Sequence, residues 1–276
     1  MIHRLFYFQN KSSLEVDFQN THIFAFETMK PPDNKIIPYL QQTWWYSLIL
    51  SILYLVSVAT IVSIMRKRAA FGLRRALLCW NVALAAFSLF GFVRTSDEFF
   101  SVLLKYGYYQ SVCYSYKPDG VTSYWSLMFL ISKAVELGDT FFIVLRKRPL
   151  IFLHYYHHIA VLIYTAHSGA EHTGSGRWFI WMNYLVHSVM YSYYAIVASG
   201  RRPPKRFAIT VTSFQITQMI VGLIVCASVI FYKSRRECQQ SSPNVALCLL
   251  IYASFAILFV RFFRKAYIRS DTKKSL

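Results

Sequence analysis

Seven apolar runs, at about 44–64, 76–93, 124–145, 151–167, 177–198, 207–232 and 244–263, leave this chain little choice of solvent or secondary structure. Each holds roughly 17–26 mainly hydrophobic residues, and about 20 in helical form cross a ~30 Å hydrocarbon core. Lipid offers no partner to a bare N–H or C=O, so a spanning run must bond its own backbone, as a helix does. A hydrophobic fraction of 55% over 276 residues is too high for an ordinary water-soluble domain. The expected fold class is an all-α membrane protein with seven transmembrane helices. A polar segment, 1–43, precedes the membrane domain, 44–263, and a basic tail, 264–276, follows it. No cleavable leader is visible, so the first span is expected to act as its own signal anchor.

The net charge of +18 does not point to nucleic acid, because the basic residues cluster in alternate loops. Arg66, Lys67, Arg68, Arg74 and Arg75 follow the first span, Arg146, Lys147 and Arg148 the third, and Arg201, Arg202, Lys205 and Arg206 the fifth. Residues 168–177 carry only Arg177 as a fixed positive charge. The positive-inside rule then puts the clustered loops and the C-terminus in the cytosol and the N-terminus across the membrane. Two short motifs agree with that orientation. Asn10-Lys11-Ser12 is a glycosylation acceptor, useful only in the lumen. Lys273-Lys274-Ser275-Leu276 resembles a dilysine retrieval address, readable only from the cytosol. Together they predict an endoplasmic reticulum protein with a lumenal N-terminus. Of five cysteines, Cys113 and Cys238 both fall in predicted lumenal loops, where oxidation is permitted, and are expected to pair.

Polar residues inside the spans carry the functional signal. His154, His157 and His158 follow one another at i, i+3 and i+4 and share a helical face about 13 Å inside the cytosolic boundary. Lys133, Glu136, Asp139 and Thr140 stripe the third span, and Asn183, His187, Met190, Tyr191 and Tyr194 the fifth. Thr212, Gln215 and Gln218 stripe the sixth. A charge at mid-bilayer costs roughly 2.5–3.5 kcal/mol on insertion scales, so such groups pair or face a cavity. Four stripes on four helices predict a shared polar interior open to the cytosol. The bland reading of Lys133 and Glu136 is a buried ion pair that braces the helices.

Two chemistries suit the histidines: metal ligation and acyl transfer through an imidazole nucleophile or base. Of eight histidines, His3 and His22 lie in the N-terminal segment, and His167 and His172 at the lumenal edge of the fourth span. Only His154, His157, His158 and His187 can share one cytosolic-side cavity, few for a two-iron centre, though not for a single metal ion.

These stripes resemble the sequence boxes of the very-long-chain fatty acid elongases, the ELO condensing enzymes. Lys133, Glu136, Asp139 and Thr140 match KxxExxDT, and Leu153, His154, His157 and His158 match LHxxHH. His187, Met190, Tyr191, Tyr193 and Tyr194 match HxxMYxYY, and Thr212, Gln215 and Gln218 match TxxQxxQ. The resemblance spans nearly the whole chain. It implies seven membrane helices, six of them forming a closed bundle around an acyl-chain tunnel. It also implies the reaction: acyl-CoA plus malonyl-CoA gives 3-oxoacyl-CoA, CoA and carbon dioxide, with no cofactor beyond the substrates. Other enzymes of the elongation cycle would be partners, and homo- or hetero-oligomerisation is left open.

Within that frame His157 is the expected nucleophile on the acyl thioester, with His158 as its rival. His187 and Asn183 would stabilise the oxyanion and enolate. His154 and His158 would hydrogen-bond to set the tautomer, and Lys133, Glu136 and Asp139 would hold the network, with Tyr191, Tyr194, Gln215 and Gln218 lining the site. No aromatic residue outside the boxes is assigned a role. Pro149 stands where polyunsaturated-type elongases tend to carry Gln, which resembles the saturated and monounsaturated subgroup. The tunnel's closed end would limit chain length, shaped by spans six and seven. The rival readings are an iron-dependent membrane desaturase or hydroxylase, and a seven-span receptor or transporter.

Overall fold

The structure is a computed structural model that describes residues 14–29, 33–117 and 120–268. His3, the Asn10 acceptor and the Lys273-Lys274 signal lie outside the described residues.

The chain runs through α1 (Asp33–Thr43), α2 (Tyr46–Arg66), α3 (Arg74–Lys105), α4 (Gly107–Cys113), α5 (Val121–Val135), α6 (Gly138–Leu145), α7 (Phe152–Glu171), α8 (Gly176–Ala198), α9 (Lys205–Lys233) and α10 (Ser242–Phe263). A π-helical turn, Arg264–Ile268, extends the last helix. Among the described residues, α2, α3, α9 and the extended α10 are long and apolar enough to cross a membrane. At most 33% of each such stretch is buried inside the protein, so most of it is left for lipid. α7 and α8, with 20 and 23 residues, have spanning length but carry the histidines and other polar groups that lower their hydropathy.

Three boundaries depart from the sequence expectation. The run 124–145 is two helices rather than one. After α5 the amides of Asp139 and Thr140 bond to the carbonyls of Glu136 and Leu137, 3.1 and 3.3 Å away, an i→i+3 tightening that resets the helix. The second run continues well past 93 to Lys105, because Phe99 and Val102 are buried on the inward face while Phe100 and Leu104 point outward. The segment 33–43, read as part of a polar stretch, is α1, which packs on α7 and donates Gln41 Nε2 to the Ala170 carbonyl at 3.2 Å.

α3 packs most extensively along α8, and α8 packs on α9, α9 on α10, α10 on α7, α7 on α5 and α5 on α3. α2 lies against α6 and α7. The end carrying the α7–α8 connection is tied by cross-links. A two-residue parallel pairing joins β1 (Glu15–Val16) to β2 (Ser115–Tyr116). Arg177 holds Glu98 in a buried ion pair at 2.7 Å and also donates to the carbonyls of Ser111 and Tyr114. Glu27 accepts from Arg94, Trp125 and the Phe24 amide; burial opposes its ionisation, but these donors outweigh it and hold the carboxyl below its usual range.

Cys113 and Cys238 form a disulfide over a sequence separation of 125 residues. Gly174 crosses directly over it, where a Cβ would come within 2.5 Å of the Cys113 carbonyl carbon. Closing a loop this long restricts the unfolded chain by up to about 5 kcal/mol on the chain-entropy account. Replacing both cysteines by serine is expected to lower the thermal midpoint of the purified protein markedly. An unchanged midpoint would show that the bridge adds no stability.

Candidate active site

The α5–α6 break places the third stripe against α8. Asn183, His187 and Tyr191 follow at i, i+4 and i+8 on one face of α8, and each meets a group from the break. Lys133 Nζ donates to Glu136 Oε1 at 2.7 Å and to Asn183 Oδ1 at 2.8 Å. Ser132 Oγ donates to the same carboxylate at 3.1 Å, and His187 Nδ1 lies 3.6 Å from it. These groups are all buried, which suits an ion pair whose remaining lone pairs are bonded rather than left bare. Lys133 Nζ also stands 4.3 Å above the Phe129 ring, a cation–π contact that helps replace lost hydration.

Asp139 belongs to a separate network. Its Oδ1 accepts from Trp80 Nε1 at 2.6 Å and its Oδ2 from Tyr191 OH at 2.7 Å. Trp80 reaches it across Gly138, whose missing side chain leaves room: a Cβ there would lie 2.7 Å from the indole. Trp80 therefore has a role that the sequence reading gave to no aromatic outside the boxes. It escapes a one-dimensional reading because it lies on α3, 59 residues from its partner. Tyr54 was missed in the same way. Its hydroxyl and Thr140 Oγ1 are 2.6 Å apart, and Thr140 Oγ1 is 3.0 Å from His154 Nε2.

The histidines divide their work differently from the expectation. His154 bonds Thr140, not His157. His158 is buried edge-on against His154, ring centroids 4.5 Å apart, and 5.7 Å from His157. Neither sets the tautomer of His157 by a hydrogen bond. Among the described residues both nitrogens of His157 lack a hydrogen-bond partner, and its ring packs 4.9 Å from Phe255. The i, i+3, i+4 spacing brings the three rings together; His158 also makes no hydrogen bond among the described residues, but of the three only His157 borders both cavities.

Two cavities meet at that ring. One carries most of the polar side chains, with Asp139, His154, His158, His187, Tyr194 and Gln215 among its walls. Gln215 also donates to Met190 Sδ at 3.2 Å. The other is mainly apolar and includes Leu127, Phe129, Val161 and Tyr252. His157, Asn183, Gln218 and Met219 line both. An imidazole with free nitrogens, at the junction of a polar and an apolar chamber, is suited to attack a carbonyl that joins a polar carrier to an apolar chain. Asn183, held by Lys133, stands at the same junction.

A family model described as ELO: GNS1/SUR4 family matches residues 39–275. The chain is 46% identical to Putative fatty acid elongase 4 of Caenorhabditis elegans, over 98% of this chain and 93% of that one. It is 43% identical to Very long chain fatty acid elongase 6 of Homo sapiens, over 87% and 92%. To Very long chain fatty acid elongase 6 of Drosophila melanogaster it is 49% identical, over 76% and 68%.

Proposed function

Since the chain belongs to the ELO, GNS1/SUR4, family, we propose that His157 carries the acyl group in the reaction this enzyme performs. The protein is a multi-pass membrane enzyme, a fatty acid elongase, and condenses acyl-CoA with malonyl-CoA to give 3-oxoacyl-CoA, CoA and carbon dioxide.

The carrying observation is the place of His157, without a hydrogen bond among the described residues, where the two chambers meet. A lone pair of the ring attacks the thioester carbonyl, the carbon–sulfur bond breaks, and the departing thiolate takes the proton from the other ring nitrogen. The result is an acyl-imidazole and free CoA. Malonyl-CoA then loses carbon dioxide, and its enolate carbon attacks the acyl carbon; the acyl carbon–nitrogen bond breaks and the leaving ring nitrogen takes up a proton from solvent, restoring His157. Asn183 and His187 are placed to steady the negative charge that develops on oxygen in both steps. Lys133 and Glu136 hold those two side chains in position. The acyl chain occupies the apolar chamber and the CoA portion the polar one, with its phosphates toward the basic loops.

The same reading extends to topology. α2, α3, the α5–α6 pair, α7, α8, α9 and α10 make seven spans, and the neighbour order α3, α8, α9, α10, α7, α5 supports a six-helix bundle around the acyl site. The charge bias supports a cytosolic opening and, with the short terminal motifs, residence in the endoplasmic reticulum. Pro149 favours saturated and monounsaturated chains. None of the similarities favours the iron-dependent alternative, and the receptor reading has no support among them.

The test is acyl-CoA given without malonyl-CoA. Labelled CoA is expected to exchange into acyl-CoA, and intact-mass and peptide analysis should place one acyl group on the peptide holding His157. Absence of both exchange and adduct would favour a ternary mechanism, with His157 as a base.

A further inference from the structure

The apolar chamber has a wall that the sequence reading did not supply. Its lining includes Ile36, Ile37 and Leu40, which form the inward side of α1, while Lys35, Pro38 and Tyr39 are exposed. The helix is anchored rather than loosely laid. Leu40 packs against the buried cluster of Trp44, Ala166 and Ala170, and Gln41 bonds the Ala170 carbonyl.

Its distance from the reacting ring gives this wall a consequence. Leu40 Cδ1 is placed 3.9 Å from where a Cβ on Gly169 would stand. Gly169 lies twelve residues beyond His157 on α7, a rise of roughly 18 Å. An extended chain with bonds of ~1.5 Å at about 111° advances about 1.25 Å per carbon. An acyl group held on His157 and laid along α7 therefore brings its far methyl to the side chains of α1 once it is a long-chain acyl group. None of these three side chains touches the polar chamber.

We propose that Ile36, Ile37 and Leu40 of α1 form the wall against which the methyl end of the acyl chain stops, and so set the longest chain that this enzyme extends. The inference rests on the apolar chamber being the acyl site. A stop built of side-chain methyls is graded, because each added methylene must displace packed atoms and each removed methyl opens space for one.

The experiment uses the full-length protein with malonyl-CoA and a series of saturated acyl-CoAs, and reads kcat/KM against chain length. Leu40→Ala is expected to raise kcat/KM about tenfold for the first chain that the unaltered enzyme uses poorly, and Leu40→Phe to lower it about tenfold for the longest chain used well. Shorter acyl-CoAs should be used as before. Ile37→Val, which removes a single methyl, gives a milder shift in the direction of Leu40→Ala and serves if that variant is poorly folded. An unchanged length profile, or an equal loss at every length in both Leu40→Ala and Ile37→Val, would show that α1 only braces α7 and overturn the proposal. Loss of the condensing reading itself has a different signature, namely no 3-oxo product from any acyl-CoA with the unaltered enzyme.

Discussion

Replacing His157 by alanine is expected to lower turnover by about 10³-fold or more, with exchange of CoA into acyl-CoA lost in parallel. The two losses must move together if the imidazole itself accepts the acyl group. The fold should tolerate the change. Among the described residues His157 has no hydrogen bond to forfeit, and it is only partly buried between two cavities, so its removal orphans none of them. The control is His158→Ala, which removes a buried ring packed on His154 and should cost stability more than chemistry. The measurement is steady-state product formation alongside thermal unfolding of the same preparation. Full turnover in well-folded His157→Ala protein would sink the acyl-imidazole mechanism.

The second large effect belongs to Lys133. Changing it to methionine strands the Glu136 carboxylate in the interior with, among the described residues, Ser132 Oγ and the more distant His187 as its remaining polar partners, at 3.1 and 3.6 Å. Breaking a buried pair from one side typically costs about 3–5 kcal/mol, most of it the penalty of the unpaired charge. Removing both partners, as Lys133→Met with Glu136→Leu, should restore most of that stability, since two apolar groups of similar volume need no bonding. Turnover should stay low in the double variant. Asn183 Oδ1 loses its donor and His187 its anionic neighbour, so the groups proposed to stabilise the oxyanion are no longer held. Unfolding midpoints and turnover for the two single variants and the double variant form a cycle. Equal destabilisation in the single and double variants would show that the pair is not the unit described.

How much of this was legible in one dimension depends on the range of the interaction. The stripes on the third, fourth, fifth and sixth spans could be read because helical geometry fixes which residues share a face from spacing alone. That was enough to gather His154, His157 and His158, and to pair Lys133 with Glu136. It was not enough to divide the polar residues. Glu136 and Asp139 look like members of one stripe, yet the tightened turn between α5 and α6 directs one to Asn183 and His187 and the other to Trp80 and Tyr191. Trp80 and Tyr54 gave no signal because an isolated aromatic in an apolar run reads as lipid-facing or core until its neighbour is known. α1 was hidden for the opposite reason: its polar and exposed positions outnumber the three side chains that turn inward.

The sequence by itself determined the solvent, the helical class, and which polar residue types lie within the spans. These follow from local rules: backbone groups in lipid must bond within their own segment, and a polar side chain at that depth must find company. Which company it finds was decided only by tertiary structure. The free state of His157, the two chambers that meet at it, the split between the Lys133–Glu136 and Asp139 networks, and the α1 wall all arise where helices distant in sequence come into contact. A periodic pattern shows which face of a helix turns inward; packing alone selects what that face meets.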